Sequence, residues 1–332
     1  MRPVQDAFPL LQTPKKIFIT THHKPDGDAI GSMLGLALYL KKKGHQVTPV
    51  SPSEVPNFLM WMPGIDLLLN YEAESKNAQQ ALKECDLVFC VDFNDFSRTK
   101  FIEQPLKDAT QPKILIDHHL MPAPTWDYGM SIPEKSSTCE MVYDFINLCD
   151  DNALIDVQIA ECLYTGVMTD TGSFRFPITT GGVHTMVADL KHKGLDHAKI
   201  HELVYDSWPA SRMRFIGYML LEKMELLPDY NSAYMALSRK DMMRFDVQSG
   251  DTEGLVNLPL SIAEMQFATL IMERGDEVKF SFRSKGQFDV STFARQHFNG
   301  GGHFNASGGS LKMPLNEAVE YFKKILSDIH PL

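Results

Sequence analysis

The stretch THHKPDGDAIGS places His22, His23, Asp26 and Asp28 within seven positions, between an apolar strand-like run and an apolar helix-like run. Asp92 follows the run LVFCV, and Asp117, His118 and His119 follow KILI. Asp170 stands at the end of a helical pattern. An aspartate at a strand end also serves to cap the next helix. Four or more carboxylates around one crevice, however, repel in a partly desolvated site, so cations must balance them or their pKa values must rise. Imidazole and carboxylate without thiolate suit divalent ions of borderline hardness. Mn²⁺ accepts histidine more readily than Mg²⁺, so Mn²⁺ is expected, with Mg²⁺ as the alternative. His22, Asp26, Asp28, Asp92, His118 and Asp170 make six candidate ligands with four negative charges, which matches two divalent ions if two aspartates bridge them. Such a pair, about 3.5 to 4 Å apart, would hold a bridging hydroxide for metal-assisted hydrolysis.

These residues need elements that gather them. KIFITT (16–21), HQVTPVS (45–51), DLVFCVD (86–92) and KILIDHH (113–119) read as short apolar strands. AIGSMLGLALYLKKKG (29–44) reads as a helix, ended by three lysines that complement its dipole and by Gly44 as a left-handed cap. VQIAECLYTGVMT (157–169) carries Ile159, Leu163 and Val167 on one face and leads to Asp170. Strand and helix in turn predict an α/β domain, a mostly parallel sheet covered by helices, in which the carboxyl ends of the strands open onto one crevice.

Residues 181–225 read as wholly helical, and a Pro-Asp signal in LLPDYNS precedes new strands, AYMALS and EVKFSFRS. A second, smaller α/β domain is therefore expected from about residue 230, ordered strand, helix, two strands, helix, glycine loop, strand, helix. In it SFRS places Arg283 and Ser284 at a strand end. The loop of Gly300, Gly301, Gly302 and His303 offers bare backbone N–H groups, a combination suited to a phosphate with its nucleoside. The HAKIH pair, His197 and His201, has zinc-compatible spacing but no third ligand, and reads as a solvated helix face.

The chain has 332 residues, 44% of them hydrophobic and 22% charged, with a formal charge of −10. Two domains fit that length. The acidic balance disfavours a clamp on long duplex nucleic acid, which relies on neutralising many phosphates. No run of eighteen apolar residues suggests a membrane span and the start lacks a signal-peptide core, so a cytoplasmic protein is expected. Five cysteines without a C-x-x-C pair suit buried thiols in a reducing compartment.

In order, HHKPDGD, VDFND, DHH and TDTGSF resemble the motifs of the DHH phosphoesterase superfamily, and GGGHFNASGG (300–309) resembles the glycine motif of the DHHA1 domain that follows in it. The pair is similar to the nano-RNase group, which acts on short oligoribonucleotides and adenosine 3′,5′-bisphosphate. The resemblance implies a DHH domain over 1–208, a helical linker over 209–229 and a DHHA1 domain over 230–332, with the active site in the cleft between the domains. It also implies one ion on His22, Asp26, Asp92 and Asp170, and another on Asp28, Asp92, His118 and Asp170. It suggests a phosphate contact for His119, whose protonated ring could also assist the leaving oxygen. Asp117 falls outside both ligand sets and is expected to orient a neighbouring histidine. Arg98, in NDFSR, is a candidate phosphate contact.

The expected substrate is short single-stranded RNA or a small nucleotide, and a homodimer is compatible with the sequence. Exopolyphosphatase or pyrophosphatase activity and cyclic dinucleotide hydrolysis are the alternatives within the superfamily. A nucleotide sensor without catalysis is the alternative outside it.

Overall fold

The structure is a computed structural model that describes residues 1–248 and 250–328. The expected second domain runs to 332, so its last four positions lie outside the described residues. By contact density the chain divides into two units, Met1–Ser207 and a second from Trp208 onward.

The first unit is built on a seven-stranded, wholly parallel sheet. Its strands are β1 (Arg2–Pro3), β2 (Lys16–Thr20), β3 (Gln46–Ser51), β4 (Leu69–Asn70), β5 (Leu87–Val91), β6 (Lys113–Asp117) and β7 (Tyr128–Ser131), in the order β1-β7-β6-β5-β2-β3-β4. From β2 the chain winds outward through β3 and β4, then returns to β5 and winds the other way. The boundary between β2 and β5 is thus the topological switch point, where strand ends leave a crevice. β5, LVFCV, is buried along its whole length, as a central parallel strand covered on both faces must be.

The helices are α1 (Gly27–Lys42), α2 (Tyr71–Glu84), α3 (Glu103–Asp108), α4 (Thr138–Leu148), α5 (Val157–Asp170), α6 (Gly181–His192) and α7 (His197–Tyr205). α1, α4 and α5 share the larger core, with Ile30, Phe145 and Leu163, while α2 and α3 cover the other sheet face through Leu82 and Leu106. α1 is buried on nearly every side, and α5 packs against it through small residues. A Cβ at Gly31 would stand 2.5 Å from the Cys162 carbonyl oxygen, and one at Gly35 would stand 2.9 Å from Leu163. This close approach brings the start of α1, with Asp28, against the end of α5, with Asp170.

The second unit holds a six-stranded sheet of order β12-β13-β11-β10-β9-β8. Its elements are α8 (Ala210–Tyr218), β8 (Met224–Leu227), β9 (Ser232–Leu237), α9 (Arg239–Arg244), β10 (Phe267–Arg274), β11 (Glu277–Ser284), α10 (Val290–His297), β12 (Gly301–His303), β13 (Ala306–Leu311) and α11 (Leu315–Asp328). Only β9 and β10 run parallel. Phenylalanines 267, 280, 282, 293 and 298 fill the core under α10 and α11.

Two expectations differ from this architecture. The stretch 181–225 is not continuous helix: α6, α7 and α8 are separate, and the helical periodicity after α8 gives way at Met224 to β8, an edge strand of the second sheet. GGGH is not a loop, because Gly301–His303 pairs antiparallel with Ala306–Gly308 as the outermost strand.

Candidate metal centre

Each side chain at the switch point is held by its local backbone. His22 follows β2, and its Nδ1 lies 3.1 Å from the His23 carbonyl oxygen. That contact places the ring hydrogen on Nδ1 and leaves the Nε2 lone pair for another partner. Nε2 lies 3.4 Å from Asp92 Oδ2 and 3.9 Å from Asp26 Oδ2. Asp26 does cap α1, since its Oδ1 accepts the backbone N–H groups of Asp28 and Ala29 at 3.0 Å each. Its second oxygen is the one that faces His22, so capping and ligation divide one carboxylate between them.

Asp28 sits in the first turn of α1, 1% exposed. Its two oxygens accept the N–H groups of Thr138, at 2.6 Å, and Cys139, at 2.9 Å, from the opening turn of α4. Asp92 follows β5 with φ of 64°, left-handed backbone that Asp adopts more readily than most residues. Its Oδ1 accepts the Thr138 hydroxyl at 2.9 Å and lies 3.6 Å from His118 Nε2. His118 repeats the arrangement of His22: Nδ1 faces the Lys135 carbonyl oxygen at 3.2 Å, and Nε2 lies 3.4 Å from Asp170 Oδ2 and 3.8 Å from Asp28 Oδ2. His119 turns its Nδ1 to Asp117 Oδ1 at 2.7 Å, so the fully buried Asp117 orients a histidine as expected.

Donor groups with ligand atoms within 4.8 Å of one another include His22 with Asp26 and Asp92, and Asp28 with Asp92 and His118, and Asp92 also meets Asp117 and His119 in an overlapping group. Asp92 belongs to all three. Asp170 adjoins the second group through His118.

Electrostatics tests whether cations fit. Burial, and then the charges of Asp92, Asp170 and Asp26, push the Asp28 carboxyl well above the usual range. Burial would lower His22, but the hydrogen bond to Asp92 and the charges of Asp26 and Asp92 outweigh it and raise the ring. His118 is raised in the same way, against burial, by Asp170, Asp92 and Asp117. Asp92 is pulled down despite its burial by His22, His119 and His118. The upward push on Asp28, His22 and His118 is the mark of crowded negative charge that favours added positive charge, the role divalent ions fill. The donor set fits them: carboxylate oxygens plus two imidazole nitrogens whose opposite nitrogens are anchored on carbonyls.

Arg98 lies near enough for its charge to work against protonation of both rings, a minor opposing effect at His22, which stays raised, and one of the causes that lower His119. In the second unit Arg283 occupies the face of β11 opposite Phe280 and Phe282, in register with Ala306, which pairs with His303. Ser284 is buried and ties the strand end to its neighbours, since its hydroxyl donates to the Phe288 carbonyl and accepts from Asn305. Gly300 and Gly302 are demanded by packing, since added Cβ atoms would collide with the backbone of Gly308 and Ala306. Gly301 is different, as a Cβ there would meet only Arg295, at 3.8 Å. His201 is half-buried, and its Nε2 lies 2.9 Å from Ser173 Oγ, so it is not simply a solvated helix face.

Sequence reasoning passed over SSTCE (136–140), which supplies the groups that fix Asp28 and Asp92. A signal was present: Ser137 and Glu140 have capping-box spacing, and Ser137 Oγ does accept the Glu140 N–H. Glu140 reaches back to the N–H and hydroxyl of Ser136 at 2.8 Å each, fixing the loop whose Lys135 carbonyl holds His118.

Two family models match the chain, the DHH family N-terminal domain over residues 16–167 and the DHHA1 domain over 230–329. A crystal structure described as that of an exopolyphosphatase-related protein from Bacteroides fragilis is 38% identical. It superposes with a TM-score of 0.92 over 97% of this chain and 95% of that one. The chain belongs to the DHH/DHHA1 phosphoesterase superfamily. Among its curated relatives is the bifunctional oligoribonuclease and PAP phosphatase NrnA of Thermus thermophilus, 29% identical over 96% of this chain and 91% of the relative. The Bacillus subtilis protein of the same name is 24% identical over 95% and 94%. Within the superfamily the chain falls in the nano-RNase group. In this DHH chain the ordered motifs at the switch point all come from the first unit, and the glycine motif from the second.

Proposed function

We propose that this chain is a divalent-metal-dependent phosphoesterase that hydrolyses short oligoribonucleotides and nucleoside 3′,5′-bisphosphates. The observation that carries the reading is the pair of histidine–carboxylate groups joined at Asp92, at the switch point of a parallel sheet. His22, Asp26 and Asp92 would hold one ion, and Asp28, Asp92 and His118 the other, with Asp170 completing the ligand sets. Mn²⁺ is the proposed ion on donor chemistry. When bound, such ions supply Lewis acidity to the phosphoryl oxygens and to the attacking water.

The chain's own residues do the rest. Thr138 and the opening N–H groups of α4 hold Asp92 and Asp28 in place. Burial first, and then Arg98, hold the His119 ring below its ordinary pKa, against the pull of Asp117. With Nδ1–H donating to Asp117, His119 would contact the substrate phosphate through Nε2 only when that nitrogen also takes up a proton. Arg98 adds positive charge beside it. In the second unit Arg283, His303 and the uncrowded Gly301 would take the nucleotide portion. The relatives named NrnA support this substrate class. No helix among the described residues is long and apolar enough to cross a membrane, and five free thiols suit the proposed cytoplasmic location.

The test offers purified chain with Mn²⁺ a dinucleotide, a trinucleotide, adenosine 3′,5′-bisphosphate, a cyclic dinucleotide, polyphosphate and a long RNA duplex in parallel. Di- and trinucleotides and the bisphosphate should turn over fastest, and a long RNA duplex should be spared. Polyphosphate as the best substrate would instead support phosphoanhydride hydrolysis, the activity suggested by the description of the Bacteroides structure. Asp92→Ala should abolish turnover, because it removes the shared ligand; normal activity in that variant defeats the two-ion reading.

A further inference from the structure

The residues following Asp170 adopt a conformation that side chains other than glycine rarely take. Gly172, Ser173 and Phe174 are left-handed in succession, with φ of 57°, 61° and 65°. Two non-glycine residues in that region cost on the order of 1 to 3 kcal/mol each and persist only where surrounding structure holds them. Part of the support is local: Ser173 N–H donates to the Met168 carbonyl at 2.7 Å, and the Thr171 hydroxyl accepts the Phe174 N–H at 3.0 Å.

Arg175 Nε donates to the Gly172 carbonyl at 2.6 Å and the Phe174 ring packs at a tilt on His184 of α6, and α7 adds a hold on Ser173 itself. His201 Nδ1 lies 3.0 Å from the His197 carbonyl oxygen, one turn back in its own helix. That carbonyl can only accept, so Nδ1 carries the hydrogen and Nε2 is an acceptor. The Ser173 hydroxyl, 2.9 Å from Nε2, is then the donor. The Tyr164 hydroxyl lies farther off, 3.5 Å from Nδ1, and its ring packs at a tilt on both His201 and Phe174, with centroids 6.1 and 5.7 Å apart. α7 is anchored by buried Ile200 and Val204. A fixed helix therefore grips the strained turn at one hydroxyl, three residues from Asp170.

Asp170 needs such a grip. It stands at the carboxyl end of α5, where the helix dipole opposes a negative side chain. Its carboxylate nevertheless faces His118 Nε2 at 3.4 Å.

We propose that His201 is a positioning residue: by accepting the Ser173 hydroxyl it holds the Gly172–Phe174 turn and thereby keeps Asp170 aimed at the metal centre. The inference rests on the metal-centre reading above. It goes beyond that reading by giving a role to a histidine that lies outside the centre.

The test titrates metal-free protein with Mn²⁺ and follows the free ion by electron paramagnetic resonance, alongside kcat and KM on a dinucleotide. Ser173→Ala and His201→Phe should each weaken one of two bound ions by about tenfold, in the range seen for outer partners of metal ligands. The double variant should be no worse than either single one, because both changes remove the same bond. His201→Gln, which places a carboxamide near the position of Nε2, should recover most of the loss. Ser173→Ala removes one oxygen and decides the matter even if His201→Phe does not fold. An unchanged isotherm for Ser173→Ala overturns the inference, and so does a loss in His201→Phe that Ser173→Ala does not share. If the wild-type chain binds no Mn²⁺, the metal-centre reading falls and takes this inference with it. If all variants bind as tightly as wild type, only this inference falls.

Discussion

At the scale of single residues the site is a problem in holding carboxylates together. Asp28 and Asp92 are nearly inaccessible to water and face each other's charge, so each needs donors. The α4 amides and the Thr138 hydroxyl provide them. Thr138→Val keeps the shape and the backbone N–H that binds Asp28, and removes only the hydroxyl that binds Asp92. Its kcat should fall by about 10- to 100-fold, with stability changed little, as for other outer partners of metal ligands. Steady-state kinetics beside a urea melt checks both halves, and full activity would show that Asp92 needs no such bond.

At the scale of elements the placement of Asp28 depends on how closely α1 and α5 pack. Ala in a helix interior gains about 1 kcal/mol over Gly, so Gly31→Ala would stabilise an isolated α1. Here the new methyl would press on the Cys162 carbonyl oxygen, part of a helix backbone that cannot swing aside. The net effect should be a loss of about 1 to 3 kcal/mol, typical of overpacking, with lowered activity as Asp28 shifts. An unchanged melting temperature would count against this packing account. In the second unit, α9 carries its own test. Asp241, 6% exposed, accepts hydrogen bonds from Ser238 and from the Tyr218 hydroxyl, and pairs with Lys223 at 3.1 Å. Burial opposes ionisation, but these partners prevail and bring the carboxyl down to about 2. A depressed carboxylate stabilises the fold above its unfolded pKa, and that contribution fades as pH falls from about 4 toward 2. Asp241→Asn should therefore cost on the order of 2 kcal/mol at pH 6 and much less at pH 2.5, read as a gap between denaturation midpoints that closes with acid.

The elements also show why some of the fold was readable and some was not. β2, β3, β5, β6, α1 and α5 declared themselves because each combines an apolar run of the right period with a charged or glycine boundary. The aspartates and histidines at their ends could be found for the same reason. β8 was missed: Met224–Leu227 continues the helical pattern of α8, and the Pro-Asp turn after it was read only as a boundary, not as the turn that pairs it antiparallel with β9. β12 hid because two of its three residues are glycines, which have no strand propensity of their own. The SSTCE segment works mainly through backbone N–H and C=O groups, which every residue possesses, so its capping-box spacing was the one trace it left.

At the scale of the whole molecule, the proposed metal ligands all lie in the first unit and the proposed nucleotide contacts Arg283 and His303 in the second, and kinetics should separate the two roles. Arg283→Ala, which leaves every proposed metal ligand intact, should raise KM on a dinucleotide several-fold with kcat nearly kept, the pattern of lost ground-state binding. A fall in kcat with unchanged KM would contradict that division. The two sheets differ also in what they expose at their borders. The first ends in β1 and β4, each of two residues, and β1 contains Pro3. Such stubs offer a neighbouring chain almost nothing to zip onto. The second ends in the three-residue β12 on one side and, on the other, in β8, which is four residues long, free of proline and carries Leu226 45% exposed. In crowded solution, unwanted sheet-to-sheet growth between molecules should therefore begin at Met224–Leu227, and a lysine in place of Leu226 is the natural guard against it.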